Sequence, residues 1–296
     1  MNRETVQGTD DGSAAVGVRG AVVVAHGGTE VSTEPVTPLD PAVLRMIPLA
    51  LALRRALRGT GVVVSRPRYR VRGWNGEPAS PVQDLGRSLD EIGARFGAVP
   101  VVLIGHSMGA RAAFRVAGHP AVAAVAGLAP WLPPTDPVEQ LAGRRVLLAH
   151  GTADHITSPQ ETWAYAERAH PVTQVATIEV RDGEHTMLRR GALWHRLAVE
   201  FSRLALGLPD AGPGEVAGAF RDAAGGRHLV LAAGITPTGG LLSRGARQAF
   251  GVNGTRTVIV SGNQRAPPSC CGAPHAVCRY LIGGPNPSRV SSAGNP

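Results

Sequence analysis

Val101-Val102-Leu103-Ile104-Gly105-His106-Ser107-Met108-Gly109-Ala110 decides the reading of this chain. An apolar run that fits a strand buried on both faces passes directly into a G-x-S-x-G pentapeptide and then into a helical stretch. That order places Ser107 on a tight strand-to-helix turn, with glycines two residues to either side where side chains would collide. The turn lifts the serine oxygen above the end of the sheet. The helix that follows points its positive end and its free N–H groups at whatever the serine attacks.

Working outward, similar short apolar runs recur at 21–25, 61–65, 122–128, 145–149 and 174–180. Helical stretches alternate with them, over roughly 41–58, 81–96, 108–117, 159–169 and 188–206. Strand, crossover helix, strand is the signature of a doubly wound, mostly parallel sheet covered on both faces, here of about six strands. Three helix starts are marked by a capping residue before proline: Asp40-Pro41, Ser80-Pro81 and Ser158-Pro159. Ser80 with Gln83, and Ser158 with Glu161, have the spacing of capping boxes.

The partners of an activated serine are sought on loops at the same sheet edge. A serine hydroxyl needs a base within hydrogen-bond reach, and a carboxylate on the far nitrogen of an imidazole base fixes its tautomer. In this architecture the chain order is nucleophile, acid, base. The strand ending at Ala149 leads into His150-Gly151-Thr152-Ala153-Asp154, and the strand ending at Val180 into Arg181-Asp182-Gly183-Glu184-His185. Asp154 is the expected acid and His185 the expected base. Asp136 and Asp182 are competing acids, without the setting of strand, turn and capped helix that Asp154 has. Among the other histidines, His106 is expected to be directed away by the turn, and His150, at a strand end, to be structural. After the first strand, His26-Gly27-Gly28 forms a small-residue turn, so the N–H groups of Gly28 and Met108 are the expected oxyanion donors. Trp131 and Trp74 are placed either at a substrate rim or in the core.

The ordered set Gly27-Gly28, Gly105-His106-Ser107-Met108-Gly109, Gly151 to Asp154 and Gly183 to His185 resembles the α/β-hydrolase superfamily, over about residues 21–206. It is similar in particular to compact dienelactone-hydrolase-like and actinobacterial serine esterase members. The resemblance implies hydrolysis of a carboxylic ester or related acyl bond in a small molecule, with no metal or organic cofactor. Thioesterase or peptidase activity with the same residues, and a non-catalytic ligand-binding member of the fold, are the alternatives. About 16 residues separate Leu128 from Arg145, where many relatives insert a lid, so no lid domain is expected. The chain begins at what corresponds to the family's third strand.

Composition narrows the rest. All 30 basic residues are Arg, against 22 acids. Residues 1–222 carry 23 of those Arg and every acid; residues 223–296 carry seven Arg and no acid. The net charge of +8 therefore belongs to the tail, and nucleic acid is not an expected partner. All three cysteines, Cys270, Cys271 and Cys278, lie there too, with a spacing beside His275 that suits no zinc site. The polar N-terminal segment 1–18 has no signal-peptide pattern and no apolar run is long enough to span a bilayer, so a cytoplasmic location without membrane partners is expected. The folded domain is expected over 19–207, with a disordered Gly/Pro/Arg-rich tail over 208–296. Oligomeric state is not legible.

Overall fold

The computed structural model describes residues 17–77, 79–209 and 214–223, and the backbone of three further strands at 227–231, 247–252 and 255–260. Cys270, Cys271, His275 and Cys278 lie outside the described residues.

Six strands form an all-parallel sheet: β1 (Gly20–Ala25), β2 (Val62–Ser65), β3 (Val101–His106), β4 (Val122–Leu128), β5 (Arg145–Gly151) and β6 (Gln174–Val180). Their order is 2-1-3-4-5-6. The order reverses between β1 and β3, and the carboxyl ends of strands flanking such a switch point make the ligand crevice of open α/β sheets. Ser107 follows β3 and Gly27-Gly28 follows β1, so sheet topology brings the two turns side by side.

Helices α1 (Pro41–Ala56) and α5 (Gly191–Ala205) cover one face; α2 (Ser80–Phe96), α3 (Met108–Val116) and α4 (Pro159–Ala169) cover the other. Each face has its own core. Val22, Ile104 and Ala126 meet Met46, Leu49, Trp194 and Leu197 on the first; Val23, Leu103 and Val125 meet Leu85, Leu89, Phe114 and Tyr165 on the second. Strands buried on both faces must be apolar at every position, which is why these segments read as continuous runs. Between β4 and β5 stands only a short connection containing a 3-10 turn, Glu139–Leu141, and no inserted lid. No helix among the described residues is long and apolar enough to cross a membrane.

The structure changes three local expectations. Asp40 does not cap α1: its carboxylate accepts from the Thr37 N–H at 2.6 Å and pairs with Arg72. Ser80 is inside α2, whose N-cap is Ala79, and Gln83 reaches Arg70 instead. Only Ser158 caps as expected, accepting from the Glu161 N–H at 3.1 Å. Within the segment 208–296, expected as a disordered tail, the described residues include one helix and three strands. Helix α6 (Glu215–Ala223) buries Val216 and Ala219 against the α5 face. Strand β7 (Arg227–Leu231) pairs parallel to β6, followed outward by β9 (Thr255–Val260) and β8 (Arg247–Val252), giving nine strands in the order 2-1-3-4-5-6-7-9-8.

Glu200 of α5 fastens α6. Its Oε2 accepts from the Val216 N–H at 3.1 Å, while Arg196 holds Glu215 at 2.7 Å. Burial, reinforced by the neighbouring Glu215 carboxyl, pushes Glu200 up to about 7. Because the folded value lies above the unfolded one, the associated stability is present at low pH and lost as pH rises through about 7. Thermal unfolding should therefore show Glu200→Gln losing less stability than the parent chain between pH 5.5 and pH 8; equal losses would remove Glu200 as the cause.

Candidate active site

Ser107 has φ 54° and ψ −124°, the sparsely populated backbone of a strained elbow. Strain of this kind costs on the order of 1–3 kcal/mol and persists only where the surroundings impose it. They do so here. A Cβ on Gly105 would overlap the backbone of Ala110, and one on Gly109 would overlap the carbonyls of Ala25 and His26. The Ser107 N–H donates to Leu128 O at 3.3 Å, and the Trp131 N–H donates to Ser107 O at 3.3 Å.

His185 stands with Nε2 3.1 Å from Ser107 Oγ and Nδ1 2.9 Å from Asp154 Oδ2. An ionised carboxylate only accepts, so Nδ1 carries the proton and Nε2 offers its lone pair to the serine hydroxyl. The loops bearing Asp154 and His185 are laced together: Thr152 N–H to Val180 O at 3.0 Å, Ala153 N–H to Gly183 O at 2.9 Å, and Asp182 N–H to Thr152 Oγ1 at 2.8 Å. Asp136 and Asp182, the competing acids, are elsewhere. Asp136 binds Arg111 and Arg115, and Asp182 faces Arg190.

Asp154 is held from every side. Oδ1 accepts the Ile156 and Thr157 N–H groups at 2.8 and 3.0 Å. Oδ2 accepts from His185, from Thr157 Oγ1 at 3.0 Å and from His150 Nε2 at 3.1 Å. Burial by itself would raise its pKa, but the donors of His150, His185, Thr157 and Ile156 outweigh burial and keep the carboxyl well below the usual carboxylate range.

His150 was expected to be merely structural, and its contact with Asp154 escapes the sequence reading. The ring is fully buried; Nε2 donates to the carboxylate, and Nδ1 lies 2.7 Å from Thr162 Oγ1, which fixes the ring's orientation. The one signal available was the four-residue spacing from His150 to Asp154 across a tight turn.

His106 is not directed away from the site. Its Nε2 donates to the His185 carbonyl at 2.8 Å, and the two rings lie 4.9 Å apart. Burial, with His185 alongside, pushes His106 down to about 3, so it stays neutral and positions the His185 backbone without competing as a base.

The turn after β1 packs against the elbow. A Cβ on Gly27 would lie 3.3 Å from Ser107 Cβ; one on Gly28 would collide with Arg72 O and the Met108 thioether. Only glycine admits the close approach that brings the Gly28 backbone to the start of α3. Met108 is the first residue of α3, so its N–H has no acceptor within the helix. His26 clamps the turn, its Nδ1 donating to Gly27 O at 2.6 Å and its Nε2 accepting from the Tyr69 N–H at 3.3 Å. Burial lowers His26 to about 4, which keeps that tautomer neutral.

The two tryptophans separate. Trp74 is 3% exposed, with the Arg111 guanidinium 4.1 Å from its ring centroid, so it packs inside and offers no rim surface. Trp131 is half-buried, and the same guanidinium lies 4.4 Å from its ring centroid. Arg111 in turn makes a bidentate pair with Asp136 at 2.8 and 3.0 Å. Two large apolar side chains on the loops that carry the acid and the histidine are exposed, Ile156 after β5 and Leu188 after β6. Among the described residues no group of three or more His, Cys, Asp and Glu is placed to hold a metal ion.

A doubly wound sheet with a strained serine after its central strand, facing an aspartate and a histidine from the loops after β5 and β6, is the α/β-hydrolase fold. Among solved structures, the chain is similar to a protein of unknown function from Agrobacterium tumefaciens described as a candidate α/β hydrolase, at 15% identity and TM-score 0.50, covering 64% of this chain and 88% of that one. It is also similar to a lidless α/β serine hydrolase from Xanthomonas campestris (21% identity, TM-score 0.47, 67% and 86% covered) and to an α/β serine hydrolase homologue from Coxiella burnetii (17%, 0.48, 62% and 85%). At such identities the likeness establishes the fold alone. No family model matches the sequence, and no curated protein matches it either.

Proposed function

We propose that this chain is a serine hydrolase that cleaves a carboxylic ester, or a related acyl bond, of a small molecule. The observation that carries the reading is the continuous hydrogen-bonded line from Ser107 Oγ through His185 to Asp154, with 3.1 and 2.9 Å links. His185 Nε2 takes the Ser107 proton as Oγ attacks the acyl carbon, and Asp154 stabilises the imidazolium that forms. The tetrahedral oxyanion is received by the N–H groups of Gly28 and Met108, aided by the positive end of α3. Collapse expels the alcohol, which takes the proton from His185. Water then attacks the acyl-enzyme with His185 again as base, releasing the acid and restoring Ser107. Trp131, whose N–H holds the Ser107 carbonyl, and Ile156, beside Asp154, form the apolar rim against which the acyl or alcohol group packs. The scheme requires no metal or cofactor.

Intact mass after exposure to a fluorophosphonate, beside a Ser107→Ala control, is the test. A single stoichiometric adduct on the parent chain and none on the variant is the expected result. A folded parent chain that takes no adduct would overturn the assignment and leave a ligand-binding member of the fold.

A further inference from the structure

Between α1, the start of α5 and the loop that carries His185 lies a cavity of about 230 Å³. One part of its wall is apolar, from Leu49, Met187 and Leu188; the other presents Arg45, His195 and Trp194, and no carboxylate lines it.

Three of the polar side chains there, Arg45, His195 and Trp194, have no hydrogen-bond partner among the described residues. Arg45 is half-buried and makes no hydrogen bond or ion pair among the described residues, unlike Arg70, Arg72, Arg111 and Arg196, which all rest on acids. Burial lowers its pKa, which means its charge is incompletely solvated. The acid that acts on it, Glu184, is engaged: its Oε1 accepts from the Thr186 hydroxyl at 2.7 Å and the Arg189 N–H at 3.1 Å. Trp194 is fully buried, and its indole N–H has no partner. His195 is half-buried and makes no hydrogen bond among the described residues. Helix α5 begins at this cavity with Gly191, and its N-cap, Arg190, provides no side-chain cap. A half-buried, unpaired guanidinium with an imidazole beside it, facing an apolar wall, is complementary to one ligand chemistry: a carboxylate with a short apolar tail.

We propose that this cavity binds a small amphipathic carboxylate, its charge on Arg45 and its tail against Leu49, Met187 and Leu188. The volume is below that of drug-sized sites, which start at about 300 Å³, and suits a ligand of about ten heavy atoms. The proposal rests on the ester-hydrolase reading in one respect: a carboxylate of this size is the class of product that reaction releases. It also gives the site a consequence. Thr186, Met187 and Leu188 immediately follow His185, and Met187 and Arg190 hold left-handed backbone conformations, φ 57° and 59°. A ligand that fixes this loop acts on the base, so product carboxylate regulates Ser107 from a second site.

Titration calorimetry of hexanoate into the full Ser107→Ala chain tests binding with no turnover, and hexanamide is the uncharged control. Saturable hexanoate binding is expected, at least tenfold weaker in Arg45→Gln and for hexanamide, as loss of a charge-assisted contact implies. No saturable heat, or equal binding by Arg45→Gln, would overturn the site. On the parent chain, hexanoate is expected to change the rate of fluorophosphonate labelling, and Arg45→Gln to abolish that change. An unchanged rate, or equal protection in Arg45→Gln, would mean that the cavity does not govern Ser107. A parent chain that never labels would count against the hydrolase reading, while the calorimetry would still decide the site.

Discussion

Asp154→Asn is expected to lower kcat/KM for an ester substrate by about 10⁴-fold, with the chain still folded. The carboxylate is surrounded by donors only, and two of its partners are imidazole N–H groups on the same oxygen, at 2.9 and 3.1 Å. An amide keeps one acceptor, which the Ile156 and Thr157 N–H groups occupy, and turns an NH₂ toward His185 and His150. His185 must then move its proton to Nε2, where it can no longer accept from Ser107, and so the base is lost. Steady-state kinetics with circular dichroism as the folding control checks this. A variant within tenfold of the parent chain would show that Asp154 is not the residue orienting His185.

Arg111→Leu is expected to destabilise the fold by about 3 kcal/mol or more, because it leaves the Asp136 carboxylate buried with half its partners gone. Asp136 has 2% of its side chain exposed, and Arg115 at 3.1 Å is the remaining cation. The same substitution removes the cation that contacts both Trp74 and Trp131, whose rings also meet each other edge to face at 6.1 Å. For a chain of this size the loss corresponds to a fall in Tm of roughly 10 °C. Pairing Arg111→Leu with Asp136→Leu should recover much of it, since the stranded charge goes with its partner. A single variant that melts within 2 °C of the parent would show that Asp136 tolerates one arginine.

The six parallel strands were legible because strands covered on both faces leave no room for polar residues, so Val101–Ile104 and Val122–Leu128 read as unbroken runs. The order of Ser107, Asp154 and His185 was legible for a topological reason: each follows the carboxyl end of a strand of one parallel sheet, β3, β5 and β6, so all three arrive at the same edge. What was not legible depends on partners distant in sequence. Asp40 and Gln83 have capping spacing, yet Arg72 and Arg70, brought in by the segment after β2, engage both. Trp74 could be placed in the core only once Arg111 was seen against it. Helix α6 escaped because its apolar positions, Val216, Ala219 and Phe220, span barely more than a turn between glycine-rich flanks. The contact of His106 with the His185 carbonyl joins residues 79 apart, and no local pattern announces it.

The reacting groups are gripped from below. The Trp131 N–H holds the Ser107 carbonyl, His106 holds the His185 carbonyl, and His150, itself held by Thr162, grips Asp154. The exposed side chains of Ile156, at 75%, and Leu188, at 74%, make none of those supporting hydrogen bonds. On the hydrolase reading proposed above, substrate fit and chemistry rest on separate side chains that can change independently. A library confined to the exposed side chains would explore new esters without unseating the nucleophile, and natural drift in substrate preference has the same freedom.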